Sequence, residues 1–149
     1  MTIRWLLAAA HLLALGIGLG AIWGRARAFG QPLDAAGLKR LFDADTWWGV
    51  AAGLWILTGL VRAFGPFEKG SGYYLHNHFF LLKMGLLALI LVLEIAPMVT
   101  LIKWRVALKK RTTLDTSHGA GFARTSMIQA GLVVLMVLAA TAMARGYDF

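Results

Sequence analysis

The chain lacks cysteine altogether and is poor in charged residues. Without cysteine among its 149 residues, it cannot form a disulfide, a thiolate metal site, a cysteine-held iron–sulfur cluster or a cysteine nucleophile. Charged residues make up 15% of the chain, whereas soluble domains carry about 25%. Apolar residues make up 59%, more than the polar surface of so short a chain can cover. This composition excludes both an ordinary soluble enzyme and a disordered protein.

Motifs of soluble enzymes are also missing. The sequence contains no P-loop and no HExxH motif, and no strand pattern precedes the glycines between Gly16 and Gly24. A phosphate-binding loop therefore has no support. The formal net charge of +8 is better explained by anionic lipid headgroups than by nucleic acid, because it accompanies long apolar runs.

Four apolar segments are long enough to cross a bilayer, whose hydrocarbon core takes about 20 residues of helix. They cover about residues 3–23, 44–64, 74–102 and 125–144. None shows strand alternation, which argues against a β-barrel. We therefore predict an all-α protein: one four-helix transmembrane bundle with up-down topology over residues 1–149. No clear cleavage site follows the first segment, so we expect it to be retained rather than removed as a signal peptide.

Basic residues divide unevenly between the two sides of the predicted membrane. Ten of the 15 Lys and Arg residues follow the first and third segments or begin the fourth, and Arg4, Arg62, Lys69 and Arg145 lie on the other side. Positively charged loops stay in the cytoplasm. The pattern predicts a multi-pass protein of the bacterial inner membrane with both termini on the outer, periplasmic side.

Polar residues within the segments fall into two layers when depth is counted at about 1.5 Å per residue. The outer layer holds His11, Lys83 and Met136, together with a tryptophan, Trp55. Charges inside a membrane are costly and usually face the bundle interior. His11 is either a hydrogen-bonded core histidine or a ligand, and Lys83 either extends to the surface or serves a function inside the bundle.

The inner layer holds Asp45, Glu94, Gln129 and Arg25, with Arg27 close by. Asp45 is placed to cap a helix that starts near residue 44, and residues 33–42 before it have the spacing of a short interfacial helix. Glu94 is too deep to cap a helix, so two roles remain open for it: a proton relay, or pairing with an arginine. The spacing of Gly16, Gly20 and Gly24 predicts a helix-packing seam.

The chain resembles a bacterial family of four-helix integral membrane proteins of unknown function. The residues that carry the resemblance are Asp45-x-x-x-Gly49, Thr58-Gly59-Leu60-x-Arg62, Glu68-Lys69-Gly70, Tyr73-Tyr74, Asn77-x-Phe79-Phe80-x-x-Lys83, Pro97 and Trp104. The resemblance supports fold and location, because that family has no assigned activity.

A weaker resemblance links the chain to the oxygen-independent membrane protoporphyrinogen oxidase and to copper-resistance membrane domains. His11, Arg27 and Lys83 match positions of the oxidase, whereas Glu94 stands where that family has a later histidine. The resemblance implies a tetrapyrrole, but the departure at Glu94 removes one candidate iron ligand.

These observations favour a protein that binds haem b or a related tetrapyrrole for redox or electron transfer. A four-helix bundle offers an interior slot for a flat ring, and imidazole is a good axial ligand. His11 would bind the metal, His76, Met136 or Lys83 would be the second ligand, and Arg62 with Lys83 would hold the propionates.

Two alternatives remain at this stage. One is an accessory or structural subunit of a membrane complex, in contact with a partner protein or with copies of itself. The other is proton transport through Asp45 and Glu94, or metal transport with copper(I) held by His11 and Met136.

Overall fold

The computed structural model describes residues 2–66 and 71–147, excluding the Ser71 side chain, and all regular structure within those ranges is helical. The elements in chain order are α1 (Thr2–Phe29), α2 (Ala35–Phe64), α3 (Ser71–Leu75), α4 (His78–Lys109) and α5 (Gly119–Ala144). The predicted all-α fold is confirmed. The stretch Glu68-Lys69-Gly70, quoted above for the resemblance, lies outside the described residues. Lys69, which was also counted among the basic residues of the outer side, is therefore not described.

The four long helices are each long and apolar enough to span a membrane, so the prediction of a four-span bundle is confirmed. Their outward sides expose large apolar side chains, among them Leu13, Leu57, Val92 and Leu138. Water would penalise such a surface, but lipid tails are equally apolar. The outer surface of the bundle is therefore its contact with the bilayer.

The second span begins earlier than the sequence predicts. The Asp34 carboxylate caps α2 by accepting a hydrogen bond from the Gly37 N–H at 2.8 Å. Leu38 and Leu41, which follow in the same helix, pack into a buried cluster with residues of α1 and α4. The separate interfacial helix predicted over residues 33–42 is thus the first part of α2, and the predicted capping role of Asp45 is wrong, because Asp45 lies inside the helix.

The third span also differs from its predicted bounds. Asn77 caps α4 by accepting a hydrogen bond from the Phe80 N–H at 3.1 Å, so the long helix begins at His78. Tyr74, the predicted first residue of the span, belongs to the short helix α3. At the other end, α4 continues to Lys109, beyond its apolar part.

Helix α1 packs against α2 and α5, and α5 packs against α4. The close approach of α1 to α2 occurs at Gly18, where an added Cβ would meet the Ala51 Cβ at 3.5 Å. The predicted seam is only partly present, because Gly16 and Gly20 face outward and only Gly24 approaches α2.

The two halves of the bundle are named here for later use. The half that contains the first turns of α1 is called the terminal half, and the opposite half is called the loop half.

Candidate functional site

The two predicted polar layers are present as two separate interior sites. One lies in the loop half and is called here the Arg25 cluster; its members are Arg25, Asp45, Glu94, Arg105, Ser126 and Gln129. The other, in the terminal half, is called the His11 cavity. Buried apolar residues separate them, including Ala14, Trp48, Ile90 and Val133.

The guanidinium of Arg25 is fully buried and fully bonded. Nη1 donates to Asp45 Oδ1 at 3.0 Å and to Glu94 Oε1 at 2.6 Å. Nη2 donates to Glu94 Oε2 at 2.7 Å and to Gln129 Oε1 at 3.0 Å, while Nε donates to Ser126 Oγ at 3.2 Å. A guanidinium has five N–H groups, and each has a partner here. The forked pairing with Glu94 is the stronger, charge-assisted kind.

A second arginine completes the cluster at its edge. Arg105 donates to Asp45 Oδ2 at 3.1 Å and to the Phe42 carbonyl at 3.0 Å. Gln129 donates to Glu94 Oε2 at 2.8 Å and to the Ile90 carbonyl at 3.2 Å. Two cations face two carboxylates, so the cluster is neutral as a unit. Neutrality and complete hydrogen bonding are the conditions under which buried ion pairs are tolerated.

The Arg25 cluster joins all four long helices, since its members come from α1, α2, α4 and α5. Its carboxylates already accept several hydrogen bonds, which favours the predicted arginine pairing of Glu94 over a proton relay. Arg27 does not belong to it. That side chain is exposed, because a position two residues from Arg25 points about 200° around the helix.

The His11 cavity has a volume of about 340 Å³ and is mostly apolar. Every helix contributes to its lining: Ala8, His11, Leu12, Leu15, Trp55, Ile56, Gly59, Leu60, Arg62, Ala63, Phe64, Tyr74, Phe80, Lys83, Met84, Leu87, Met136, Val137, Ala140, Thr141, Met143 and Ala144. Lys83 and Arg62 are its charged lining residues, and no Asp or Glu is among the described ones. The predicted outer-layer residues thus meet around one space.

The hydrogen-bond partners of Thr58 indicate which nitrogen of His11 carries the proton. Nδ1 lies 2.9 Å from Thr58 Oγ1, and the same hydroxyl donates to the Leu54 carbonyl at 2.7 Å. A hydroxyl has one hydrogen, so Thr58 accepts from His11 while it donates to Leu54. From this network we assign the hydrogen to Nδ1, which leaves the lone pair on Nε2.

Two residues of α2 hold the imidazole in place. Trp55 stacks on the ring with centroids 5.8 Å apart and planes inclined at 29°. Gly59 lets the ring lie against the helix, because an added Cβ would be only 3.2 Å from His11 Cε1. The buried indole N–H of Trp55 has no hydrogen-bond partner within residues 2–66 and 71–147.

His76 does not reach the cavity. Its side chain is exposed, and Nδ1 lies 2.7 Å from the Gly72 carbonyl oxygen, because His76 falls in the turn between α3 and α4. Met136 is buried and lines the cavity. Of the second ligands predicted from the sequence, Met136 and Lys83 are therefore the two that line the same cavity as His11.

Sequence reasoning missed several members of both sites. Thr58 was quoted only for the family resemblance and Ser126 not at all, because hydroxyl residues in apolar helices carry no distinctive signal of a site. Arg105 did have a signal: Lys83, Glu94 and Arg105 recur every eleven residues, a spacing that returns to the same helix face within about 20°.

The comparison with known proteins bears on the family of the chain. No curated protein and no solved structure matches it. The weaker resemblance to the oxidase and to copper-resistance domains therefore stays a prediction. A family described as "Predicted membrane protein (DUF2214)" matches residues 3–148, nearly the whole chain. The chain belongs to this family of predicted membrane proteins.

Proposed function

We propose that the chain binds haem b or a related tetrapyrrole in the His11 cavity and serves redox or electron transfer in the bacterial inner membrane. The observation that carries the proposal is the orientation of His11. Its Nδ1–H is held by Thr58, so the Nε2 lone pair is the free donor of a ring that lines an apolar cavity. Neutral imidazole in this state is a common axial ligand of haem iron.

The residues of the cavity fit such a group. A volume of about 340 Å³ is within the range of small-molecule sites, roughly 300–1,000 Å³. The cavity is partly open, so a wide macrocycle would extend from it into the apolar surroundings. Met136 offers a thioether as a second ligand. When bound, the iron would supply one-electron chemistry, while the chain holds, orients and shields it.

The layer between the two sites favours binding over transport. Residues Ala14, Trp48, Ile90 and Val133 fill the interior between the His11 cavity and the Arg25 cluster. A hollow of about 10 Å³ in this region is lined by apolar residues, and a buried water molecule needs polar partners as well as room. A proton or ion path would have to cross this apolar layer.

Titration with haem tests the proposal. The purified protein in lipid nanodiscs is expected to shift the Soret band of added haem and to saturate at one haem per chain. Empty nanodiscs provide the baseline for haem dissolved in lipid. A spectrum identical to that of empty nanodiscs at every haem concentration would refute the proposal.

The Thr58→Val substitution is expected to weaken haem binding about 10- to 100-fold, the usual cost of losing a group that orients a metal ligand. Valine keeps the shape of threonine but cannot accept the hydrogen bond from His11 Nδ1. Thr58→Ser keeps the hydroxyl and should restore most of the affinity. The dissociation constants follow from Soret titrations.

Thr141→Val provides the matched control for this prediction. Thr141 lines the cavity, but its hydroxyl donates to the Leu138 carbonyl of its own helix and not to His11. This variant should bind haem like the wild type. Equal losses in Thr58→Val and Thr141→Val would show that the hydroxyl of Thr58 has no special role.

We also propose that the terminal half faces the periplasm, as the distribution of basic residues predicts. The absence of native cysteine makes single-cysteine labelling clean. Tyr147→Cys should react with a membrane-impermeant maleimide in spheroplasts, whereas Thr113→Cys, in the exposed loop after α4, should react only after membrane disruption. The reverse labelling pattern would show the opposite orientation.

A second candidate function, an accessory subunit of a membrane complex, has one observation in its favour. Gly16 and Gly20 of α1, and Gly49 and Gly53 of α2, face outward, and no described atom lies within 4 Å of an added Cβ at any of them. Small residues let helices approach closely in lipid. These surfaces would suit a partner helix, or a second copy of this chain.

A further inference from the structure

Lys83 is a cation placed in a largely apolar space, and none of the described residues serves as its counter-ion. It lines the His11 cavity and is only partly exposed. Within the described parts of the chain its ammonium makes no hydrogen bond or ion pair, whereas Arg25, at the other site, has a partner for every N–H. A charge held among membrane helices is costly unless it is paired.

The surroundings of Lys83 are suited to an anion rather than to a metal cation. Arg62, on the facing helix α2, adds a second positive charge, and no described lining residue is acidic. Most of the remaining lining is apolar, so the anionic group must be attached to a largely apolar body.

We propose that Lys83 is the counter-ion of a carboxylate on the ligand, so that the cavity selects a tetrapyrrole with free acid side chains. The proposal deepens the proposed function, on which it rests for the tetrapyrrole body, but it does not require iron. His11 and Lys83 then have separate tasks: His11 binds the metal, and Lys83 binds the acidic edge.

The test compares metal-free protoporphyrin IX with its dimethyl ester, which keeps the macrocycle but loses both negative charges. Binding is followed by porphyrin fluorescence in nanodiscs of zwitterionic lipid, so that anionic headgroups do not compete. The wild type should bind the free acid about 10- to 100-fold more tightly than the ester, relative to empty nanodiscs, as for a charge-assisted hydrogen bond.

Lys83→Gln should reduce this preference to about one by weakening acid binding alone, and Lys83→Arg should restore it. Ester binding serves as the folding check, because it should be the same in all three proteins. Lys103→Gln is the matched control: it lies on the same helix, but it is exposed outside the cavity, and it should keep the wild-type preference.

The outcomes separate this proposal from the ligand role of His11. An acid preference that is absent in the wild type, or unchanged in Lys83→Gln, overturns the role of Lys83 even if haem ligation by His11 holds. A preference that depends on Lys83 supports it even if haem shows no His11-dependent spectrum. Failure of both metal-free porphyrins to bind overturns this proposal, whereas the proposed function is then decided by the haem titration, in which His11 can bind the iron.

Discussion

Replacing Arg25 by methionine is expected to leave little folded protein in the membrane. The substitution removes five hydrogen bonds and leaves Glu94 as a largely buried carboxylate without a cation. Breaking a buried ion pair from one side costs about 3–5 kcal/mol, a large share of a typical stability of about 5–15 kcal/mol. The measurements are the yield of monodisperse protein from membranes and its unfolding midpoint in detergent.

Lys39→Met is the matched control for Arg25→Met. Lys39 pairs with Asp43 at 2.6 Å, but both side chains are largely exposed, at 77% and 61%. Exposed pairs contribute about 0–1 kcal/mol, so this variant should resemble the wild type. If the two variants lose the same stability, the Arg25 cluster does not hold the bundle together.

A second substitution separates loss of charge balance from loss of packing. Arg25→Met combined with Glu94→Leu removes the cation together with the carboxylate that it leaves unpaired, while Arg105 still pairs with Asp45. Apolar replacement of a complete buried pair is often neutral or stabilising. The double variant should therefore be more stable than Arg25→Met alone, and a further loss would contradict this explanation.

His11→Ala is expected to abolish the ligand-dependent haem spectrum. Loss of the axial nitrogen should weaken haem binding more than loss of the group that orients it, so we expect a decrease of more than about 100-fold. Because alanine leaves space beside Thr58 and Trp55, free imidazole added to the solution should restore part of the Soret shift. The measurement is the titration used for the wild type, with and without imidazole.

His76→Ala is the control for this prediction and also tests the second-ligand role that the sequence left open for His76. His76 is exposed, and the His11 cavity lies elsewhere, so its removal should not alter the spectrum. Full retention of the spectrum in His11→Ala would exclude His11 as the ligand. Loss of the spectrum in His76→Ala would point to a ligand outside the cavity.

The spans were predictable because the bilayer requires long apolar helices, and such helices are visible in composition alone. Their ends were less predictable. Asp34 caps α2 and Leu41 packs beneath it, and neither effect depends on hydropathy. The same limitation displaced the start of α4, where Asn77 provides the cap.

The depth of each polar residue was predictable, since helical rise is constant, and counting alone placed Asp45, Glu94 and Gln129 near Arg25. The contacts of these residues were not predictable, because they depend on how each helix is rotated and on the order in which the helices pack. Counting residues along the chain determines neither. Arg27 was therefore assigned to the layer although its side chain is exposed. The role of Thr58 emerged only from the distance between two helices.

The most direct test of the central claim is electron–nuclear double resonance of the ferric haem complex, with histidine labelled by ¹⁵N. We predict a strongly coupled histidine nitrogen that changes with the label, is unaffected in His76→Ala and disappears in His11→Ala. A complex without histidine coupling, or one whose coupling persists in His11→Ala, would contradict the claim that Nε2 of His11 binds the iron of a tetrapyrrole.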